Sequence, residues 1–179
     1  MSHGLYIGRF QPLHIGHLSV ITRALTMVEK LNVVIGSIQN SFTWHDPFTT
    51  EERIEMITSQ LDFQGYKDKV NIITLPDIDD PFTWPEYILF NLPDKELVDT
   101  IFSSNLDSVV SLFQKSYPNM NVMIFGRKVD ISATKIRVLM GQRNMEWMKY
   151  VPSNVKEYII KINGENRIQN IFDKRKRED

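Results

Sequence analysis

The chain contains no cysteine. A disulfide scaffold, thiolate catalysis and a thiolate metal site are therefore excluded. Charge of one sign is also missing: 21 Lys and Arg face 22 Asp and Glu, a net −1 at pH 7. The surface as a whole is not built to attract a polyanion, so any phosphate must be held by a local cluster. No apolar run is long enough to span a bilayer. The first residues lack a charged-then-apolar leader, since His3 and Gly4 run straight into an apolar stretch. There is no G-x-x-x-x-G-K-S/T segment, which excludes a Walker-type kinase or ATPase. No internal repeat and no linker stand out. These absences lead us to expect a soluble, cytoplasmic protein.

What remains is a globular composition, 42% apolar and 24% charged over 179 residues, enough for one domain with a sizeable core. Five short runs rich in Val, Ile and Leu read as strands covered on both faces: Leu5 to Ile7, Leu31 to Ile35, Val70 to Leu75, Val98 to Phe102 and Val122 to Phe125. Helical patterns alternate with them. Leu18, Ile21, Leu25 and Val28 share one face of the first. Thr49 and Glu52 have the spacing of a capping box ahead of Ile54, Ile57 and Leu61. Shorter patterns cover Trp84 to Phe90 and the residues after Asn105, including Val109, Leu112 and Phe113. Strand alternating with helix implies an α/β fold, a doubly wound parallel five-stranded sheet with helices on both faces. Beyond the fifth strand, Ser132 to Met140 reads as a helix stopped by Gly141, and Ser153 as the cap of another that ends at Gly164. Residues 173–179 are all charged, with both signs mixed, and are expected to be a disordered, solvated tail after a single domain of residues 1–172.

Two segments carry chemistry. The first strand is followed by Gly8-Arg9-Phe10-Gln11-Pro12-Leu13-His14-Ile15-Gly16-His17. Gly8 permits a sharp turn or close approach of a ligand. Gly16 leaves room where a phosphate could press against a helix start. His14 and His17, three apart, can share one side of the first helical turn, where free N–H groups favour an anion. With Arg9 they would make a preformed oxyanion site. Each histidine alone could merely cap or pack; two of them with an Arg and two glycines in one turn point to function. Zinc ligation is the rival reading, but no third ligand of suitable type is evident nearby.

The second segment is Ile131-Ser132-Ala133-Thr134-Lys135-Ile136-Arg137, where the chain leaves the fifth strand for a helix. Ser132 is a natural N-cap, Thr134 adds a hydroxyl, and Arg137 can fold back toward a phosphate. Alone, this reads equally well as an ordinary capped helix with a surface Arg. Ligands of such sheets bind at the carboxyl ends of the strands, near the point where strand order reverses.

Together the two segments resemble the nucleotidyltransferase superfamily marked by an H-x-G-H turn and a late I-S-x-T-x-x-R helix. Gly36-Ser37-Ile38-Gln39, Asp46-Pro47-Phe48-Thr49-Thr50-Glu51-Glu52-Arg53 and Ile162-Asn163-Gly164-Glu165-Asn166-Arg167-Ile168 narrow this to the archaeal type of nicotinamide-mononucleotide adenylyltransferase. The resemblance covers nearly the whole chain. It implies a Rossmann-like fold and a reaction in which ATP and nicotinamide mononucleotide give NAD and pyrophosphate. It implies that His14, His17, Arg9 and Arg137 are catalytic, and that Gly8, Phe10, Gly16, Ile131, Ser132 and Thr134 join them around ATP. Ser37, His45, Asp79, Trp84 and Asn105 would hold the mononucleotide, with Trp84 stacked on the pyridine ring. Mg²⁺ would travel with ATP rather than occupy a protein site. A homo-oligomer is implied, with no nucleic-acid or membrane partner.

The chain departs from the family pattern at Pro81, where an Asn is frequent, at His45, where an Arg is frequent, and at Leu106, where Pro usually follows Asn105. Two other readings stay open on sequence. One is a sister enzyme with another acceptor: nicotinate mononucleotide, phosphopantetheine or FMN. The other is a non-catalytic module that senses NAD or ATP. A nucleic-acid binder working through the charged tail is disfavoured by the net charge.

Overall fold

The computed structural model describes residues 2–105, 108–126 and 131–178. Leu106 therefore lies outside the described residues. Five strands, β1 (His3–Gly8), β2 (Lys30–Ile35), β3 (Val70–Thr74), β4 (Val98–Ser103) and β5 (Asn121–Ile124), form one parallel sheet in the order β3-β2-β1-β4-β5. The chain winds outward through β2 and β3, then returns to place β4 on the other side of β1. Strand order reverses between β1 and β4, and the carboxyl ends there open a crevice.

Side chains alternate across the sheet with period two. Tyr6, Val33, Ile35 and Phe102 enter one core, with α1 (Ile15–Ala24), α2 (Thr50–Phe63), α5 (Ala133–Gly141), α6 (Ser153–Lys161) and α7 (Gly164–Glu178) on that side. Leu5, Val34 and Ile101 point the other way, under α3 (Trp84–Phe90) and α4 (Ser108–Ser116). Both faces are thus covered, which is why these strands read as near-continuous apolar runs.

At the amino ends of the strands the core holds polar groups. Asn32, fully buried in β2, donates to Asp94 Oδ1 at 2.9 Å and accepts from Asn71 Nδ2 at 3.0 Å. His3 of β1 bonds the other oxygen of Asp94.

Helix ends follow local chemistry. Thr49 and Glu52 do form a reciprocal capping box on α2, with Thr49 N–H donating to Glu52 at 2.9 Å. Ser132 caps α5 by accepting from the Lys135 N–H at 3.2 Å. Three expectations need correction. Ser153 does not cap α6; it is the first helical residue, behind Pro152. Gly164 does not end that helix but opens α7, because Asn163 takes the left-handed conformation (φ 57°) that the break requires. The charged segment from Asp173 is not a disordered tail, since α7 is helical through Glu178. Its side chains have partners: Arg143 donates to Asp173 at 2.7 Å, and the Arg175 guanidinium lies 5.6 Å from the Trp44 ring. A methyl group on Gly141 would sit 2.5 Å from the Phe172 ring, so that glycine lets α7 lie close on α5.

Candidate active site

Two cavities open at the carboxyl ends of β1 and β4, and Ile7, Gly8, Arg9 and Ser103 line both. The larger, about 500 Å³, brings the two sequence motifs together: His14, Gly16 and His17 on one wall, Ile131, Ser132, Thr134 and Arg137 on another. Phe10, Gln11, Asn105 and Phe125 complete much of the rest. The smaller, about 260 Å³, is lined by Gly36, Ser37, Asp77 and Trp84.

The start of α1 differs from the expected open anion cradle. His14 is its N-cap, and its own imidazole Nδ1 accepts the N–H of Gly16 at 3.0 Å and of His17 at 3.3 Å. His17 Nδ1 accepts the N–H of His14 at 3.3 Å, which closes a capping box made of two histidines. The backbone N–H groups expected to meet a phosphate are thus taken, those of His14, Gly16 and His17 by the rings and that of Ile15 by the Tyr150 carbonyl at 3.0 Å. An imidazole that accepts at Nδ1 carries its proton on Nε2. The box therefore sets both tautomers, with the proton of each ring on Nε2. The rings stack with centroids 3.7 Å apart and planes 23° from parallel, and Phe10 holds His17 from the side at 4.8 Å. Gly16 serves this arrangement, since a methyl group there would lie 2.8 Å from the His14 ring.

Arg137 is 2% exposed. It donates to the Gln11 carbonyl at 2.9 Å and to the Thr134 hydroxyl at 3.2 Å, and its buried Nε has no hydrogen-bond partner among the described residues. Burial, reinforced by the Arg9 charge and opposed by Asp46, lowers its pKa to about 10. It remains a cation at neutral pH. Arg9, half exposed, lies 3.8 Å from the buried Asp46, whose Oδ1 makes no hydrogen bond among the described residues.

Four residues that lie in the quoted segments or beside the expected ring pocket, but were given no role of their own, support the site. Gln11, 1% exposed, exchanges two hydrogen bonds with the Phe48 backbone, at 3.0 and 2.9 Å. Arg53, fully buried, donates to the carbonyls of Arg9 at 3.1 Å and Gly36 at 2.8 Å. Asp46 stands behind Arg9. Asp77 lines the smaller cavity and accepts from the Ser37 N–H at 3.1 Å and from Gln39 Nε2 at 3.3 Å. The motif segments mark the positions of Gln11, Asp46 and Arg53, but which backbone groups their side chains reach is set only by the folded turns.

The residues expected around the mononucleotide divide. Ser37, buried with φ 54°, and Trp84 line the smaller cavity. Gly36 keeps it open, since a methyl group there would project between Trp84 and Asp77, 3.7 and 3.8 Å from them. Asp79 is exposed and lines neither cavity; Asp77, two residues earlier, lines the smaller one. His45 is exposed and likewise outside both linings. Asn105 lines the larger cavity rather than the smaller. Among the described residues no group of three or more His, Asp and Glu is placed to hold a metal ion.

Comparison with known proteins bears on this geometry. The cytidylyltransferase-like family model matches residues 5–139. The nicotinamide-nucleotide adenylyltransferase of Thermococcus onnurineus is 37% identical over 93% of this chain and 86% of its own length. That of Saccharolobus solfataricus is 37% identical over 96% of this chain and 97% of its own. Among solved structures, a bifunctional NMN adenylyltransferase/ADP ribose pyrophosphatase from Francisella tularensis, complexed with AMP and Mn ion, superposes with TM-score 0.78 at 26% identity. The match covers 96% of this chain and 52% of that one, so this chain spans about half of the bifunctional protein.

Proposed function

The chain belongs to the cytidylyltransferase-like family, and on that premise we propose that it transfers the adenylyl group of ATP to nicotinamide mononucleotide, giving NAD and pyrophosphate. The observation that carries this reading is the pair of adjoining cavities that share Gly8 and Arg9. The larger has a cation, imidazole N–H donors and hydroxyls, suited to a triphosphate. The smaller has an indole and a carboxylate, suited to a cationic ring bearing an amide.

The reaction makes few covalent demands. A phosphate oxygen of the mononucleotide attacks the α-phosphorus of ATP, and the bond to the pyrophosphate oxygen breaks. The protein must align the two and neutralise the charge that develops. In this reading His14 and His17 donate from Nε2 to the ATP phosphates. Arg137 supplies fixed positive charge behind them, with Ser132 and Thr134 at the start of α5. Arg9, on a long exposed arm between the cavities, bridges the phosphates of both reactants. Trp84 takes the pyridinium on its face, an attraction of roughly 0.5–2 kcal/mol. ATP enters as its Mg²⁺ complex, the ion held by the triphosphate. By family resemblance the enzyme works as a cytoplasmic homo-oligomer, a point for sedimentation analysis.

The test is turnover. The protein is incubated with ATP, Mg²⁺ and a panel of acceptors (nicotinamide mononucleotide, nicotinate mononucleotide, phosphopantetheine and FMN), and pyrophosphate release is followed. We expect the highest kcat/KM with nicotinamide mononucleotide. A different best acceptor overturns the substrate, and no release with any acceptor overturns the reaction.

A further inference from the structure

Arg53 lies under the junction of the two cavities without lining either. All five of its N–H donors are used: Nε on the Thr49 carbonyl, one terminal nitrogen on the carbonyls of Arg9 and Gly36, the other on the Ser37 carbonyl and the Thr50 hydroxyl, at 2.8–3.3 Å. Among the described residues no carboxylate forms an ion pair with it. A buried cation held only by neutral carbonyls and one hydroxyl is costly, and an apolar side chain of similar volume would commonly serve stability as well or better. What sets this residue apart is what the fork does to the backbone.

Apart from that of Thr49, at the cap of its own helix, the carbonyls it gathers belong to the two turns that wall the junction, one after β1 and one after β2. A trans peptide points its C=O and its N–H in opposite directions. With the Arg9 carbonyl drawn toward Arg53, the Phe10 N–H is turned away from it. Phe10 lines the larger cavity and is held at φ 52°, a strained value for a bulky residue. Among the described residues its N–H makes no hydrogen bond with backbone or side chain. From the opposite side Arg137 holds the next carbonyl but one, that of Gln11.

We propose that Arg53 is a positioning residue for adenylyl transfer: its fork locks the Arg9, Gly36 and Ser37 carbonyls, fixes the two turns relative to each other and presents the Phe10 N–H as a donor to phosphate oxygen at their junction. This rests on the adenylyl-transfer reading above. Lysine keeps the charge but not the planar fork, and cannot hold the same carbonyls at once.

The experiment measures kcat and both KM values for Arg53→Lys and for Thr50→Val, which removes the hydroxyl from one arm of the fork. Arg53→Lys is expected to lose about 100-fold in kcat, the scale of one lost oxyanion donor. Each KM should stay within about threefold, because the interaction is made chiefly in the transition state. Thr50→Val should lose about three- to tenfold in kcat, on the scale of one hydrogen bond. In parallel, an unreactive α,β-methylene analogue of ATP is titrated into isotopically labelled protein. The Phe10 amide resonance should move in the wild type and move less in Thr50→Val. Should Arg53→Lys fail to fold, Thr50→Val and the amide titration decide. Near-normal kcat in the folded variants, losses confined to KM, or a Phe10 amide that ignores the analogue overturns the proposal. A wild type that transfers no adenylyl group instead overturns the reaction, while the amide titration still tests the placement of Phe10.

Discussion

The two cavities share a wall and differ in almost everything else. The larger is lined by two imidazoles, the Ser132 and Thr134 hydroxyls and the buried Arg137. The smaller offers an indole face and the Asp77 carboxylate. On the proposed reading, opposite chemistry on the two sides of one strand end would sort the two reactants by charge before any fine fit is needed. Arg9 belongs to both sides, and it is the half-exposed cation of the site, tethered loosely toward Asp46.

The contrast breaks most severely at His17. His17→Ala removes an Nε2 donor and half of the capping box, and should lower kcat by about 100- to 1,000-fold. Steady-state kinetics on protein shown to be folded by circular dichroism checks this. Arg137→Ala should raise the KM for ATP by about tenfold or more while moving that for the mononucleotide by less than about threefold, since a cation facing one cavity is lost. Because burial holds the Arg137 pKa near about 10, the wild-type kcat/KM for ATP should fall as pH rises through that value. The mutant profile should lack that limb.

On the other side, Trp84→Ala should raise the KM for the mononucleotide about 3- to 30-fold and spare ATP, in line with the loss of a cation–π contact. Isothermal titration of each ligand separately makes the same comparison without turnover. Asp77→Asn keeps an oxygen for the Ser37 N–H and removes the charge. The wild type should prefer the amide mononucleotide to the acid, and the variant should shrink the ratio of kcat/KM values by about three- to tenfold, a modest effect because the carboxylate meets solvent. An unchanged ratio would mean that Asp77 does not face the ring. The smallest effect belongs to His45. Exposed and outside both cavities, it should change kcat/KM by less than about twofold when replaced by Ala, as surface substitutions do.

Much of this was legible in the chain, for identifiable reasons. The strands announce themselves because both faces are covered, so Val33, Val34 and Ile35 are all apolar. Thr49 and Glu52 mark the start of α2 because a reciprocal cap needs that spacing. His14, His17, Ser132 and Arg137 were visible as a constellation and do meet around one cavity. Their mutual arrangement was not visible. That His14 would cap its own helix, and so spend the backbone donors expected for a phosphate, depends on a χ rotation that no pattern encodes. Asp77 and Asp79 differ by two places in a loop without periodicity, so only the folded backbone tells which one faces the cavity. Gly164 was misread because asparagine can also adopt the left-handed turn, which left the glycine for a different need: a methyl group there would lie 2.8 Å from the Phe48 ring.

The polar cluster at the far end of the sheet has a consequence for how the strands find one another. Strands made of Val, Ile and Leu can slide by two residues and still bury an apolar face. A sliding error in β1, β2 or β3 would part His3 or Asn32 from Asp94, or Asn71 from Asn32, and strand amide and carboxylate groups in an apolar interior, at about 1–3 kcal/mol for each unsatisfied group. His3 and Asp94 are 91 positions apart, and Asp94 lies just ahead of β4, the strand that must return past two others to reach β1. The cluster thus acts as a key that fits one alignment only. It lies at the other end of the sheet from the two cavities, yet it sets the heights of the strand ends that line them.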